Sequence, residues 1–337
     1  MREKATGTDH PAPRLAGALH PPSSIEPVTG EDTSSPPGHS SLGAACGRSG
    51  LRSAPQGSSD RVLLVEDNPV NQKVTVAMLE KLGFCADVVD NGVEAVIAAT
   101  MVPYRAILMD CEIPVLNGYE TTSEIRNQSG ASRESPIIAV TSASTELDQQ
   151  HCLSAGMDGH LTKPLTLGAL SAGLARWAPV AETAPDPEPE PSTAVSRRGQ
   201  GYDDDDEPAL DAVVLDRLER LGAEAGEDLV GELATLFLAD ADTRIVALYD
   251  ALARLDGPAL IHAAHTLCGA SANLGAATMA RLCARLATDG TVGDLENCEA
   301  LLQSVEAELE RVRTALMAPR PSPLRTDPSL VTPTASP

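Results

Sequence analysis

Aromatic residues are scarce in this 337-residue sequence: one Trp, two Phe and four Tyr. Any core it builds must therefore be aliphatic, from Leu, Val, Ile and Ala. Positive charge is scarce too, with 25 Lys and Arg against 48 Asp and Glu, a formal net charge of −23. Such a chain is repelled by nucleic acid and by anionic membranes, so neither is an expected partner. Basic proteins, cations and metal ions suit it better. No CxxC pair occurs among the seven cysteines, Cys46, Cys85, Cys111, Cys152, Cys268, Cys283 and Cys298. Their odd number, and the apolar runs around several of them, point to a reduced, cytoplasmic chain with neither a zinc site nor a disulfide framework. No apolar run approaches the length of a bilayer crossing, and no secretory signal is expected at the N-terminus.

The chain is long enough for two domains plus linker. Residues 1–60 are rich in Pro, Gly and Ser with almost no apolar periodicity, and are expected to be disordered. Residues 179–210 alternate Pro with acids and then run through four consecutive Asp, which predicts a semi-rigid, charge-extended linker. The tail 317–337 is again rich in Pro and Ser. Two globular regions remain, 61–178 and 211–316, without an internal repeat.

The first region alternates short apolar runs with helical patterns. "RVLLVED" reads as a buried strand, Asn68 as a helix cap with Pro69 in the first turn, and Gly83 as the stop. "CADVVDN", "AILMD", "PIIAVTSAS" and "GHLTKP" read as further strands, each followed by a helix. This pattern predicts an α/β fold with a parallel sheet covered on both faces, whose ligands bind at the carboxyl ends of the strands. The second region has no strand. Its apolar stripes, from Leu215, Leu218 and Leu221 to Leu301, Leu302, Val305 and Leu309, predict an all-α bundle of antiparallel helices.

Glu66 and Asp67 close the first strand and Asp110 closes the third. Carboxylates gathered at one sheet edge repel one another unless a cation joins them. A hard divalent ion suits oxygen donors, and Mg²⁺ suits them best because it keeps water and also takes phosphate oxygens. Thr141 ends the fourth strand and Lys163 the fifth, just before Pro164. Hydroxyl, ammonium and metal together could hold three phosphoryl oxygens while a carboxylate attacks in line. Any one of these residues alone would read as a helix cap or a surface charge. Their joint placement at successive strand ends is what points to chemistry.

"LLVEDNPVNQKV", "ILMDCEIPVLNGYE", "IIAVTSAS" and "GMDGHLTKP" together resemble the receiver domain of two-component response regulators, across the whole of 61–178. The resemblance implies a flavodoxin-like (βα)5 fold. It makes Asp110 the phospho-acceptor, and it has Glu66, Asp67, Asp110 and the backbone carbonyl of Glu112 hold Mg²⁺. Thr141 and Lys163 would contact the phosphoryl group, a cis peptide would precede Pro164, and His160 takes the position of a switch aromatic. Ile113 and Ser142 depart from the family's usual Met and Ala.

In the second region, "IHAAHTLCGASANLGA" places Leu260, Ala264, Leu267, Ser271 and Leu274 on one side of a helix and His262, His265 and Gly269 on the other. A glycine inside a helix costs roughly 1 kcal/mol relative to Ala. At Gly269 it clears the surface so that something bulky can approach His265. For an isolated His-x-x-x-Gly, a solvent-exposed histidine beside an unimportant glycine is the commoner case. The wider string resembles the signature of histidine-containing phosphotransfer (HPt) domains, which implies a four-helix bundle over 211–316 with His265 as the phosphohistidine. Asn273, Leu274 and Gly275 then support the site from the helix end, and His262 reads as a bystander. One departure stands out: Cys268 occupies a position where the family commonly carries Lys.

Together these resemblances imply a phosphorelay intermediate. A sensor kinase's phosphohistidine would supply Asp110, His265 would pass the group to a downstream response regulator, and flow could also run in reverse. The linker would allow intramolecular docking of the two domains. No Gly-rich ATP-binding module precedes the receiver, so ATP-dependent autophosphorylation is not expected. Two other readings stay open: the receiver–HPt portion of a split or truncated hybrid kinase, and a non-catalytic docking module that lost transfer with the lysine.

Overall fold

A computed structural model describes residues 60–142, 146–178, 207–292 and 295–318. The segment expected to be disordered at the N-terminus, nearly all of the linker and nearly all of the tail lie outside the described residues.

The first region contains β1 (Arg61–Val65), α1 (Pro69–Lys81), β2 (Cys85–Val89), α2 (Gly92–Met101), β3 (Ala106–Asp110), α3 (Gly118–Asn127), β4 (Ile137–Thr141), α4 (Glu146–Ala155), β5 (Gly159–Thr162) and α5 (Leu167–Trp177). The strands form one parallel sheet in the order β2-β1-β3-β4-β5, a flavodoxin-like arrangement. Period-two alternation decides the layers. Val62, Leu64, Leu108, Ile138 and Val140 face α1 and α5, meeting Val70, Val74, Met78, Leu170 and Leu174. Leu63, Val65, Ile107, Met109 and Ile137 face the other helices, meeting Ala95, Ala99, Ile125 and Cys152. Central strands β3 and β4 are buried along their whole length, so they read as continuous apolar runs. Asn68 caps α1 as expected, its side chain accepting from the backbone of Val70 (2.9 Å) and Asn71 (3.1 Å).

The register sets the chemistry at the sheet's carboxyl edge. Val65 pairs with Met109, Asp110 with Val140, and Thr141 with Thr162. Glu66, Asp67, Asp110, Thr141 and Lys163 therefore emerge from one edge. The Lys163–Pro164 peptide is cis.

The second region contains α6 (Ala212–Ala225), α7 (Leu229–Ala253), α8 (Gly257–Leu274), α9 (Ala277–Val292) and α10 (Leu295–Met317). Helices α7 to α10 pack in sequence, and α10 returns to α7, closing a bundle of four. Helix α6 is a fifth, laid against α7 and α8 by Leu218 and Leu221. Phe237, Leu233, Leu260, Leu267, Leu302 and Val305 fill the core. A fully buried side chain of this kind contributes roughly 1.5–3 kcal/mol relative to leaving it exposed. Helix α8 ends at Gly275 in the left-handed conformation (φ 84°), where a side chain would also press on Val214.

Helix α1 joins the two regions. It covers the sheet on one side, and on the other it packs against α6, α7 and α8. The apolar core runs through it without interruption, from Val70, Val74 and Met78 to Leu221, Leu229 and Leu233.

Candidate functional site

Glu66, Asp67 and Asp110 each place a carboxylate oxygen within 4.8 Å of the others. Lys163 sits among them: its Nζ donates to Asp110 Oδ2 at 2.6 Å and to Glu66 Oε2 at 2.8 Å. All three of these side chains are more than nine-tenths buried. Burial pushes the Glu66 carboxyl up to about 7, and the neighbouring Asp110 charge adds to this while Lys163 opposes it. Burial likewise works against the Lys163 ammonium, but the two carboxylates outweigh it and hold the lysine protonated. Asp67 is also raised by burial, against the pull of Arg244 and His262. One ammonium serves two of the three carboxylates, and Asp67 lies beside them. With hard oxygen donors close together, the cluster fits a divalent cation. Glu66 is held in place by Asn71, whose Nδ2 donates to Oε1 at 2.8 Å, while Gln72 donates to its backbone carbonyl at 2.7 Å. Thr141 closes β4, buried, and its carbonyl accepts from the Lys163 backbone at 2.8 Å.

His265 of α8 reaches this same edge. Its Nε2 lies 3.0 Å from Ser142 Oγ, next to Thr141, and its Nδ1 lies 3.3 Å from Glu112 Oε2. Burial lowers the imidazole pKa, and the Lys163 charge lowers it further, both favouring the neutral ring. A carboxylate facing Nδ1 favours the tautomer with its hydrogen there, which leaves the Nε2 lone pair turned to the sheet edge.

Comparison with known proteins accounts for both halves. The sequence matches the response regulator receiver domain family over residues 62–175 and the Hpt domain family over residues 232–315. The chain carries a receiver domain followed by an HPt domain. This is the domain pair of hybrid two-component phosphorelay proteins. The sensor protein GacS of Pseudomonas syringae pv. syringae is 31% identical over 231 residues, covering 68% of this chain and 24% of that protein. The chain thus spans about a quarter of the length of that relative. A crystal structure of the receiver domain of a sensor histidine kinase from Pseudomonas aeruginosa, with magnesium coordinated in its active-site cleft, is 48% identical. It covers 36% of this chain and 98% of that one, with a TM-score of 0.34. A histidine-containing phosphotransfer protein of the same organism is 32% identical, covering 32% of this chain and 91% of that one, with a TM-score of 0.30. No helix among the described residues is long and apolar enough to cross a membrane.

The receiver and the HPt domain dock through α1. Asn71 lies under Gly269, its Nδ2 3.3 Å from where a β-carbon would stand, and its Oδ1 accepts from Asn273 at 2.8 Å. The bulky group for which Gly269 clears the helix is the receiver's own α1. Lys73 pairs with Glu227 (3.1 Å) and Glu232 (2.8 Å), and Lys81 with Glu224 (2.9 Å). Asn68 donates to Asp240 Oδ2 at 2.7 Å.

Two expectations change. His262 is no bystander: its Nε2 stands 3.6 Å from Asp67 Oδ2, because the face opposite the bundle core lies against the receiver. Glu112, expected at the site only through its backbone carbonyl, turns its side chain to His265. Cys268 is partly buried and its thiol is held above the usual range, chiefly by burial, so it brings no charge to the site. Ser142, Asp240 and Arg244 were not singled out as site residues. Ser142 had one signal, its departure from the family's usual alanine. The other two look like an ordinary i,i+4 pair on a long helix. His160 lies on β5 in register with Ala139 and is half-buried.

Proposed function

We propose that the chain passes a phosphoryl group between Asp110 of its receiver and His265 of its HPt domain within one molecule. The observation that carries this reading is the position of His265 Nε2, 3.0 Å from Ser142 Oγ at the receiver's carboxylate edge, with Nδ1 turned to Glu112. A sensor kinase's phosphohistidine supplies Asp110, and His265 hands the group on to the receiver of a downstream response regulator. Net flow can also reverse and end in hydrolysis at Asp110.

In the intramolecular step the bond between phosphorus and the Asp110 carboxylate breaks and a bond to His265 Nε2 forms. The carboxylate left behind recovers its charge beside Lys163. The imidazole becomes cationic as it accepts the group, and Glu112 lies beside Nδ1 to offset that charge. Thr141 and Lys163 hold the phosphoryl oxygens. Glu66, Asp67, Asp110 and the Glu112 carbonyl would hold Mg²⁺. When bound, such an ion supplies positive charge against the phosphoryl oxygens. Positioning dominates catalysis of this class, and docking through α1 supplies it without a lysine at position 268.

Labelling the full chain with acetyl phosphate tests the reading. Acid-labile, base-stable label should accumulate in the wild type and vanish in His265→Gln. Label found only on Asp110, never on His265 or on an added receiver, rules out the relay.

A further inference from the structure

Asp67 belongs to the carboxylate cluster that fits a divalent cation, and from the HPt domain it is faced by the side chains of Arg244 and His262. Arg244 belongs to α7 of the HPt domain, yet its Nη2 reaches Asp67 Oδ2 at 3.4 Å. It is held for this by Asp240 one turn earlier, whose Oδ1 accepts from Arg244 Nε at 3.2 Å. Asp240 is fixed in turn by the receiver, through Asn68 Nδ2 at 2.7 Å. The chain of contacts therefore runs from receiver to HPt domain and back to the receiver within a few ångströms. It is screened from water: the Arg244 side chain is 19% exposed, Asp240 11% and Asp67 8%. His262 also approaches Asp67 from the HPt domain, at 3.6 Å, whereas the ion pairs of Lys73 and Lys81 lie along α1 and touch none of the three carboxylates.

We propose that Arg244 couples docking of the HPt domain to divalent-cation binding in the receiver, each weakening the other. A fixed guanidinium beside Asp67 raises the local potential and so repels a metal ion, whichever oxygen of Asp67 the ion uses. Linkage makes the effect reciprocal: a metal ion on the cluster weakens the contact that holds Arg244, and hence the docked arrangement, by the same factor. A metal-loaded receiver then releases its HPt domain more readily, leaving the His265 face open to a receiver on another molecule. The same carboxylate thus sets whether the HPt domain stays with its own receiver. This inference rests on the reading of the acidic cluster as a cation site, and not on transfer to His265.

The test is calorimetric titration of Mg²⁺ into the full-length chain. Arg244→Gln should bind Mg²⁺ about tenfold more tightly than wild type, within the range usual for coupling between two sites. Arg244→Lys, which keeps the charge, should stay near wild type. Gly269→Val, which should block docking sterically, should tighten Mg²⁺ binding by itself, and Arg244→Gln added to it should change nothing further. Equal affinity in wild type and Arg244→Gln overturns the coupling. So does an Arg244→Gln effect that persists undiminished in the Gly269→Val background, because Arg244 would then act without docking. If no variant binds Mg²⁺, the cation-site reading falls and the coupling falls with it.

Discussion

Asn71 of the receiver lies directly beneath Gly269 of the HPt domain, its Nδ2 3.3 Å from the point where a β-carbon would be. Asn71 cannot easily retreat, because the same amide also holds Glu66 and accepts from Asn273. Gly269→Ala should therefore separate two effects. It removes a mid-helix glycine, worth roughly 1 kcal/mol to helix stability, while pressing on the interface. Gly269→Val should keep the bundle folded and undock it. Small-angle scattering would show the undocking as a larger radius of gyration. A valine variant as compact as wild type would mean that the glycine does not govern approach.

The flanking ion pairs should act mainly on specificity. Lys73 pairs with Glu227 and Glu232, all partly or well exposed, and exposed pairs contribute about 0–1 kcal/mol each. Lys73→Glu is a stronger perturbation, since it places like charges opposite one another. It should undock the domains in low salt. A compensating Glu227→Lys/Glu232→Lys change should restore compactness in the triple variant. No recovery in the triple variant would show that charge at this position does not select the partner.

Much of this was legible from residue order. The strand ends were readable because parallel pairing brings the residue after each strand to one edge, so Glu66, Asp67, Asp110, Thr141 and Lys163 could be grouped without coordinates. The apolar stripe of α8 was readable from helical spacing, and the face left over held His265 and Gly269. The occupant of that face was not readable. Asn68 and Asp240 are 172 residues apart, and nothing local in either marks the other. Ser142, Arg244 and the Glu112 side chain take their places only through docking, as does the correction to His262. A linker's length shows that two domains can meet, but their pose depends on side-chain complementarity along α1.

Glu112 offers a way to separate the two halves of the reaction. Its side chain faces His265 Nδ1, while its backbone carbonyl is the part expected near the cation. Glu112→Ala should leave Asp110 labelling by acetyl phosphate close to wild type. Transfer on to His265 should slow on the order of 10²-fold, the cost of an ångström-scale misplacement of a reacting group. Quench-flow measurement of the two labels would resolve the steps. Equal slowing of both would place Glu112 in the receiver's own chemistry instead.

Lys163 provides the most direct test of the carboxylate cluster. Its ammonium is buried between Glu66 and Asp110, and removing one partner of a buried ion pair costs about 3–5 kcal/mol because the remaining charge is left unpaired. Here two carboxylates would be left, with Asp67 beside them. Lys163→Met should therefore destabilise the receiver by at least about 3 kcal/mol in metal-free buffer. Trp177, the one tryptophan of the chain, lies at the end of α5 in the receiver and reports its unfolding in urea by fluorescence. Because the loss comes from uncompensated negative charge, saturating Mg²⁺ should restore more stability to Lys163→Met than it adds to wild type. A deficit that Mg²⁺ leaves unchanged would mean that Lys163 supports the receiver through packing, and that the three carboxylates do not share a cation.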